Sequence, residues 1–290
     1  MKFTLDAAAL ERVFEAWNVP IPEKGLVLFA LRGCKPLPPV GMGWTKSVRL
    51  ETFQPDFVHM RCTIGIWDRT TGRVFAAPGS TVPHRDNIKK AATRPGKMKG
   101  RGTNQLEPGF YTDLTKGEHL QGKPQGHAAL RQTGYRFYRR ALALPKNGSP
   151  YSPKSPLFFG NPYDNLHCAW NIDPAKDGFR SAGCVVVAGW PHSPRLPDAV
   201  PNKGSWKIFH DLLYAAPQKK FPLLLLPGDA AAKTLGSMKG GDKHLLYGSR
   251  GEAVKALQRR LVARGLYKGR INGILGVGTY RAWNATGFSA

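Results

Sequence analysis

The sequence predicts an α+β protein in which a largely β domain comes first and a small helical domain comes last. Short apolar runs separated by Gly- and Pro-rich turns recur through residues 25–228, which is typical of strands in a curved sheet or barrel. Residues 229–243 are small, polar and Gly-containing, so we interpret them as a linker. Residues 244–290 have apolar residues at helical spacing and are expected to form a small helical domain.

The first domain, residues 1–228, contains several elements that apolar periodicity predicts. Alternation of apolar and polar residues indicates strands, and recurrence every three or four residues indicates helices. In chain order, the predicted elements are an amphipathic helix at 3–17, a buried strand at 25–34, a β-hairpin at 59–80, an exposed loop or short helix at 85–101, two strands at 161–170 and 183–190, a helix at 205–218 and a last strand at 220–228.

The chain is strongly basic. It has 43 Lys and Arg residues against 19 Asp and Glu residues, a formal net charge of +24. Such a protein associates with polyanions, for example nucleic acid, an anionic membrane or an acidic cell wall, although a diffuse excess also serves solubility. The basic stretch 85–101 is only a weak form of the basic helix of nucleic-acid-binding proteins, so we do not expect nucleic acid as a partner.

No targeting or membrane-spanning segment is expected. Charged residues, among them Asp6 and Glu11, interrupt the N-terminal apolar pattern, which argues against a secretory signal. The apolar run at 221–232 is too short to span a bilayer and contains Pro222 and Pro227. We therefore expect synthesis in the cytoplasm without a signal peptide, and release by lysis or by an injection machinery.

The cysteines are predicted to be free thiols, since none forms a CxxC pair and no export signal is visible. They are Cys34, Cys62, Cys168 and Cys184. His119 and His127 are separated by Gly and Pro at a spacing that fits no familiar zinc pattern. We expect no metal and no cofactor, with His119 on the surface and His127 in contact with substrate in a cleft.

His167 and Cys184 are the strongest candidates for chemistry, because a polar loop containing Gly and Pro joins them. A cysteine attacks a carbonyl as a thiolate, and a neighbouring imidazole supplies the base. Gly183 would let the backbone approach a substrate, and the amides of Gly183 and Cys184 would hold an oxyanion. The alternative is an inert buried cysteine, since three valines follow Cys184.

The segment from His167 to the box SAGC at 181–184 resembles the catalytic motif of the L,D-transpeptidases. In that family, a base histidine precedes a Ser/Thr-His-Gly-Cys box by a loop of this length. Two departures stand out: Ala182 replaces the box histidine, and Val186 replaces the arginine that usually follows the cysteine. Residues 108–110 resemble the family's upstream strand loosely. The resemblance implies a catalytic domain of the L,D-transpeptidase type.

The resemblance also implies roles for individual residues. Cys184 would form the acyl-enzyme, and His167 would accept the thiol proton. The backbone carbonyl of Cys168 would orient the His167 ring, while Gly183 would contribute to the oxyanion hole and Ser181 would lend hydrogen bonds. The residues expected to contact substrate in the cleft are His127, Tyr111, Arg180 and Trp170.

Residues 244–288 resemble the small three-helix peptidoglycan-binding domain of many wall hydrolases. Ser249 is predicted to cap its first helix and Gly265 to end it. Asn272 stands where the family more often has Asp, and the closing Phe-Gln is absent. The resemblance implies sugar or stem-peptide contacts at Tyr267 and Asn272, whereas a generic helical hairpin is the alternative. The matching positions are Gly248, Gly251, Val254, Leu257, Gln258, Leu261, Gly265, Tyr267, Thr279 and Ala282.

Both resemblances point to peptidoglycan as the partner. Loss of the box histidine and of the arginine favours hydrolysis over transfer to an amine. We expect a monomeric cysteine peptidase with no obligate protein partner, cutting near the diamino acid of the stem peptide in the periplasm or cell wall, as a phage lysin or an injected antibacterial effector would. The alternatives are a cross-linking transpeptidase and a non-catalytic basic protein that binds wall or nucleic acid.

Overall fold

The computed structural model describes residues 1–101, 103–146, 148–236 and 244–286. These residues form fourteen strands and six α-helices with a strand-rich core, so the predicted α+β class is confirmed. The strands are Lys2–Asp6 (β1), Leu26–Arg32 (β2), Cys34–Pro36 (β3), Ser47–Thr52 (β4), Cys62–Asp68 (β5), Val74–Ser80 (β6), Asn104–Leu106 (β7), Gly109–His119 (β8), His127–Gln132 (β9), Arg136–Arg140 (β10), Leu157–Gly160 (β11), Leu166–Cys168 (β12), Val185–Val187 (β13) and Lys220–Pro227 (β14). The helices are Ala7–Ala16 (α1), Arg85–Ala92 (α2), Ser205–Ala215 (α3), Gly228–Gly236 (α4), Glu252–Ala263 (α5) and Val277–Asn284 (α6).

Eight strands close into a barrel in the order β12-β13-β6-β5-β2-β14-β8-β9. Two neighbouring pairs are parallel, β12 with β13 and β2 with β14, and the other pairs are antiparallel. Two three-stranded sheets accompany the barrel, β1-β4-β3 and β11-β10-β7. The parallel pairing of β12 with β13 matters for the site, because it sets the segments around His167 and Cys184 side by side.

Strand β2 of the barrel is buried on both faces. Every residue of β2 is buried. Phe29 and Leu31 pack in one core with residues of α1 and α4. Leu28 and Ala30 pack in a second core with Trp206 of α3. This two-sided burial explains why β2 has a continuous apolar sequence rather than an alternating one.

The N-terminal helix is shorter than predicted. Residues Lys2–Asp6 form β1, which pairs with β4, and α1 begins only after Asp6. The Asp6 carboxylate caps this helix by accepting a hydrogen bond from the Ala9 N–H at 2.8 Å. The partner strand lies far along the chain, so local periodicity could not reveal the pairing.

The first half of the predicted linker at 229–243 forms a helix. Helix α4 runs from Gly228 to Gly236, with Ala231 and Ala232 buried. Its Thr234 hydroxyl accepts a hydrogen bond from the Trp17 indole at 3.2 Å. Small residues at these positions therefore allow close packing on the N-terminal core rather than flexibility. The rest of the predicted linker, 237–243, lies outside the described residues.

The C-terminal segment has two helices, α5 and α6, within residues 244–286, rather than the three that the resemblance to the peptidoglycan-binding domain implies. Residues before α5 are extended instead, and Arg250 forms a β-bridge with Ile274. Ser249 does not cap α5, because its hydroxyl donates a hydrogen bond to the Trp17 carbonyl at 2.7 Å. The N-cap is Gly251, and Gly265 follows the end of α5 in the left-handed conformation, as predicted.

This C-terminal segment shares a core with strand β10. Phe137 of β10 packs in one cluster with Leu257 and Leu261 of α5, and its ring centroid lies 4.4 Å from that of Tyr280. The Tyr280 hydroxyl donates to Glu107 at 3.0 Å. Glu107 in turn pairs with the buried guanidinium of Arg139 at 3.1 Å. Apolar and polar contacts therefore join the segment to the strand-rich part of the molecule.

None of the helices in the described ranges combines the length and the apolar character that crossing a bilayer requires.

Candidate active site

His167 and Cys184 meet at one end of the barrel. Leu166 of β12 pairs with Val185 of β13, which places His167 and Cys184 on adjacent segments. A donor atom of His167, one of His119 and the Cys184 sulfur all lie within 4.8 Å of one another. A cleft of about 750 Å³ opens onto these three residues. The spacing that suggested a thiol with its base thus corresponds to real proximity.

Two backbone carbonyls fix the proton positions on His167 and His127. His167 Nδ1 lies 2.8 Å from the Cys168 carbonyl, the contact that the sequence predicted. His127 Nδ1 lies 2.8 Å from the Gln125 carbonyl. Because a carbonyl can only accept, each neutral ring carries its hydrogen on Nδ1. His127 Nε2 is then an acceptor, 3.2 Å from His167 Nδ1. His167 Nε2 keeps its lone pair and is available as a base.

His119 lines the cleft and stacks on His167. The two ring centroids are 3.9 Å apart and the rings are inclined by only 9°. The prediction that His119 lies on the surface is therefore wrong. Asn165 orients this ring: its side-chain oxygen accepts the Gln132 N–H at 3.0 Å, so its NH₂ group donates to His119 Nδ1 at 3.1 Å. The neutral ring of His119 consequently carries its hydrogen on Nε2.

The three histidines are held neutral by their surroundings. Burial, followed by the neighbouring histidines, lowers the pKa of His167 well below its ordinary value. Burial and His127 lower the pKa of His119 to about 4. Burial is also the main cause that lowers the pKa of His127. At neutral pH the cluster is therefore uncharged, and His167 can accept a proton.

Asp164 is an unexpected neighbour of the thiol. Its Oδ1 lies 4.0 Å from the Cys184 sulfur. Burial raises the pKa of Asp164 to about 7, although a hydrogen bond from Asn104 opposes this shift. Burial and the Asp164 charge raise the pKa of the Cys184 thiol well above its ordinary value. The resting pair is therefore a neutral thiol beside a neutral imidazole, rather than a preformed thiolate–imidazolium pair.

Gly183 packs directly against the Asp164 carboxylate. A Cβ atom at Gly183 would lie 2.7 Å from both carboxylate oxygens, and its φ is +154°. Its N–H donates to the Ser181 hydroxyl at 3.2 Å, and that hydroxyl donates to the Cys184 carbonyl at 2.7 Å. Ser181 thus shapes the box, as predicted. The Gly183 amide is occupied within the box, so its predicted part in an oxyanion hole is not supported. The backbone N–H groups of Asn165 and Cys184 face the sulfur.

One of the four residues predicted to contact substrate lines the main cleft. Arg180 does so, with its guanidinium 4.7 Å above the Trp170 ring. Trp170 is buried and packs edge-on against His127. His127, at 2% exposure, lies behind His167 and opens toward a separate cavity of about 330 Å³. Tyr111 is wrong as a cleft residue: it is buried in the core, and its hydroxyl donates to the Glu107 carbonyl at 2.6 Å.

The two predicted wall contacts of the C-terminal segment are engaged locally. The Asn272 side-chain oxygen accepts hydrogen bonds from Gln258 and from the Ile274 N–H, both at 3.0 Å. The Tyr267 hydroxyl donates to the Arg270 carbonyl at 3.1 Å. Both side chains hold the Gly-rich loop in shape, and their contact with wall fragments stays a prediction.

The thiols are free, as predicted for the cysteines, and all four are buried. The donor atoms of His119, His167 and Cys184 also resemble a site for a thiophilic cation. His119 fits that use poorly, because Asn165 already donates to its Nδ1, which leaves the hydrogen on Nε2. A metal would have to break this hydrogen bond or displace that proton.

Sequence reasoning missed His119 and Asp164. His119 and His127 face each other across the turn between β8 and β9. Their spacing in the sequence therefore reflects a cross-strand pair. An antiparallel hairpin reading of this segment would have brought both to one place. Asp164 gave no comparable signal, since its contact with Cys184 depends on the loop before β12.

Searches of protein-family models, of curated proteins and of solved structures gave no significant match to this chain.

Proposed function

We propose that the protein is a cysteine peptidase that hydrolyses the stem peptide of peptidoglycan. The observation that carries this proposal is the proximity of the Cys184 sulfur to a ring nitrogen of His167, in a cleft that both residues line. A thiol and an imidazole in this arrangement are the minimum for acyl transfer through a thioester. The resemblance of the box to that of the L,D-transpeptidases adds the substrate class.

The chemistry follows from the resting protonation states. His167 Nε2 takes the proton of Cys184 as the sulfur attacks the amide carbon, so no stable thiolate is required beforehand. The protonated His167 then gives this proton to the leaving amine, and the thioester remains on Cys184. Water, deprotonated by His167, attacks the thioester and releases the shortened peptide and the free thiol.

The oxyanion would be held by backbone amides close to the sulfur. The N–H groups of Asn165 and Cys184 act on the Cys184 sulfur itself, whereas the Gly183 N–H is bonded to Ser181. We therefore assign the oxyanion to the first two amides. Donors of this kind stabilise the charge that develops in the tetrahedral intermediate.

The charges around the cleft support a peptide substrate that carries both signs. Its lining includes both signs, with Arg101, Arg140 and Arg180 as basic residues and Asp86 and Asp164 as acidic ones. A stem peptide offers carboxylates and, at its diamino acid, an ammonium group. The net charge of +24 would further favour attachment to an acidic wall.

Hydrolysis is proposed over cross-linking because of residue 182. Ala182 lines the cleft where the resembling family has a histidine. A methyl group leaves room for water and offers no polar contact to an amine acceptor. A protein of this type suits a phage lysin or an injected antibacterial effector, with a cross-linking transpeptidase as the competing function.

Mass spectrometry of purified peptidoglycan treated with wild type, Cys184→Ala and His167→Gln tests the proposal, with His59→Gln as the matched histidine control. We expect water-added fragments from wild type and from the control, and none from the other two variants. New or exchanged cross-links would identify a transpeptidase. Binding to the wall with no change in its composition would leave a non-catalytic protein.

A further inference from the structure

His167 has an unusual set of supports. A histidine base is commonly held by a carboxylate on its second nitrogen, which also stabilises the imidazolium that forms. Among the described residues, the hydrogen-bond partners of His167 are the Cys168 carbonyl and His127. Asp164 faces the sulfur instead. The orientation of the His167 ring must therefore be fixed by groups other than a carboxylate.

We infer that His127 and His119 are positioning residues for His167, one accepting its Nδ1–H at the ring edge and the other supporting its ring face. The inference rests on the proposed role of His167 as the base for Cys184. His127 qualifies because its Nδ1–H is tied to the Gln125 carbonyl, which leaves Nε2 as an acceptor at 3.2 Å. Rotation or tautomerisation of His127 would break that contact.

His119 qualifies through its parallel stack at 3.9 Å. A parallel stack at this distance fixes the plane of the His167 ring and therefore the direction in which its Nε2 points. Asn165 keeps His119 in one orientation, and Gln132 keeps Asn165 in one orientation. The chain of contacts runs from strand β9 through the start of β12 to strand β8, three strands that adjoin in the barrel.

Charged groups around the cluster agree with this assignment. Glu118 and Arg180 act on His127 with opposite signs. His119 stays neutral over the working range because its pKa lies near 4. When His167 gains its proton, a second proton on either neighbour becomes still less favourable. His127 thus acts as the acceptor for the His167 Nδ1–H, and His119 acts as a flat support for the His167 ring.

The test uses pairs of variants at each position. They distinguish loss of the acceptor or of the stacked ring from a mere change in side-chain volume. His127→Phe keeps a ring but removes the acceptor, whereas His127→Gln keeps an acceptor. His119→Phe keeps a flat ring, whereas His119→Ala removes it. The measurement is the rate at which iodoacetamide alkylates Cys184 as a function of pH, followed by peptide mass spectrometry with EDTA present. Melting temperatures check folding, and His59→Gln is the control.

We expect His127→Phe to slow alkylation near neutral pH by about 10- to 100-fold and to move the pH profile toward that of an unassisted thiol. His127→Gln should recover most of the rate. His119→Phe should stay near wild type, and His119→Ala should slow the reaction. Equal rates for Phe and Gln at position 127, or wild-type profiles for all variants, would overturn the inference. If a variant at one position does not fold, the alkylation rates of the variants at the other position test the inference.

The same experiment separates this inference from the proposed function. Alkylation does not require peptidoglycan, so the expected profiles with no wall cleavage would support the cluster and refute the hydrolase. Wall cleavage with profiles unaffected by either position would support the hydrolase and refute the cluster.

Discussion

Asp164, together with burial, disfavours ionisation of the Cys184 thiol. A carboxylate 4.0 Å from the sulfur opposes thiolate formation. The pKa of Asp164, raised to about 7, means that its charge is partly present at neutral pH. A ligand group that neutralises this carboxylate would make the thiol easier to ionise. Under the proposed function, the ammonium group of a diamino acid has the required charge and would couple substrate binding to activation of the thiol.

Replacing Asp164 by Asn should increase the intrinsic reactivity of Cys184. Removal of a nearby negative charge lowers the thiol pKa, and we expect alkylation at pH 8 to accelerate about three- to tenfold. The measurement is the iodoacetamide rate at Cys184, with Asp173→Asn on an exposed loop as the control. A rate unchanged or lowered in Asp164→Asn would contradict this electrostatic assignment.

The raised pKa of Asp164 also predicts how the stability of the folded protein changes with pH. Its pKa is near 7 in the folded protein and about 3.9 in an unfolded chain. Between these values the folded state holds the proton that the unfolded state loses, so this residue makes stability fall as pH rises. The melting temperature of Asp164→Asn relative to wild type should therefore increase from pH 4 to pH 7 and then level off. A constant difference over this range would show that the carboxyl is not perturbed.

The candidate site was partly predictable at the residue scale. The box at 181–184 and His167 lie within one short stretch of sequence, and Cys168 directly follows His167. Local sequence was therefore enough to predict the contact between the His167 ring and the Cys168 carbonyl. His119 and Asp164 were missed because their contacts depend on hairpin register and on loop path. Tyr111 was misplaced because a tyrosine near a strand start fits core and cleft equally well.

At the scale of elements, local sequence patterns predict the helices and strands whose formation depends on their own residues. Strands β2 and β14, the hairpin of β5 with β6 and helix α3 occur where periodicity placed them. Apolar periodicity predicts a helix over β1, because the partner strand β4 is distant in sequence and leaves no local signal. The alanines and glycine of α4 predict a flexible linker. In the structure, packing on the N-terminal core stabilises these residues as a helix.

The contact of α6 with β10 predicts a coupled unfolding. Tyr280→Phe removes the hydrogen bond to the buried Glu107 carboxylate and should lower the free energy of unfolding by about 1–3 kcal/mol. Tyr267→Phe, which loses a hydrogen bond in a surface loop, is the matched control and should change it by less than about 0.5 kcal/mol. Urea unfolding followed by tryptophan fluorescence makes the comparison.

In that experiment, the number of transitions is as informative as their midpoints. A shared core predicts that Tyr280→Phe shifts the main transition of the molecule. A shift confined to a separate minor transition would instead indicate that residues 244–290 unfold as an independent domain.

At the scale of the whole molecule, the charge of +24 is the dominant feature. Cell walls that carry acidic polymers would attract such a surface at long range, and salt would screen this attraction. The C-terminal segment would add short-range contacts that salt affects less. The two contributions can be separated by ionic strength.

Binding of the Cys184→Ala variant to purified sacculi should weaken strongly between about 0.05 and 0.5 M NaCl. This variant is used because it should not digest the wall. Co-sedimentation gives the bound fraction, and bovine serum albumin serves as the acidic control. Binding that does not respond to salt would assign attachment to specific contacts rather than to net charge.

The most direct test of the central claim is to detect the covalent intermediate on Cys184. Wild-type protein is mixed with purified stem-peptide fragments and quenched in acid within milliseconds to seconds, and its intact mass and tryptic peptides are measured. We predict a mass increase equal to the acyl part of the fragment, located on the peptide that contains Cys184 and absent in Cys184→Ala. Fragment cleavage with no such adduct, and with Cys184→Ala as active as wild type, would contradict the account.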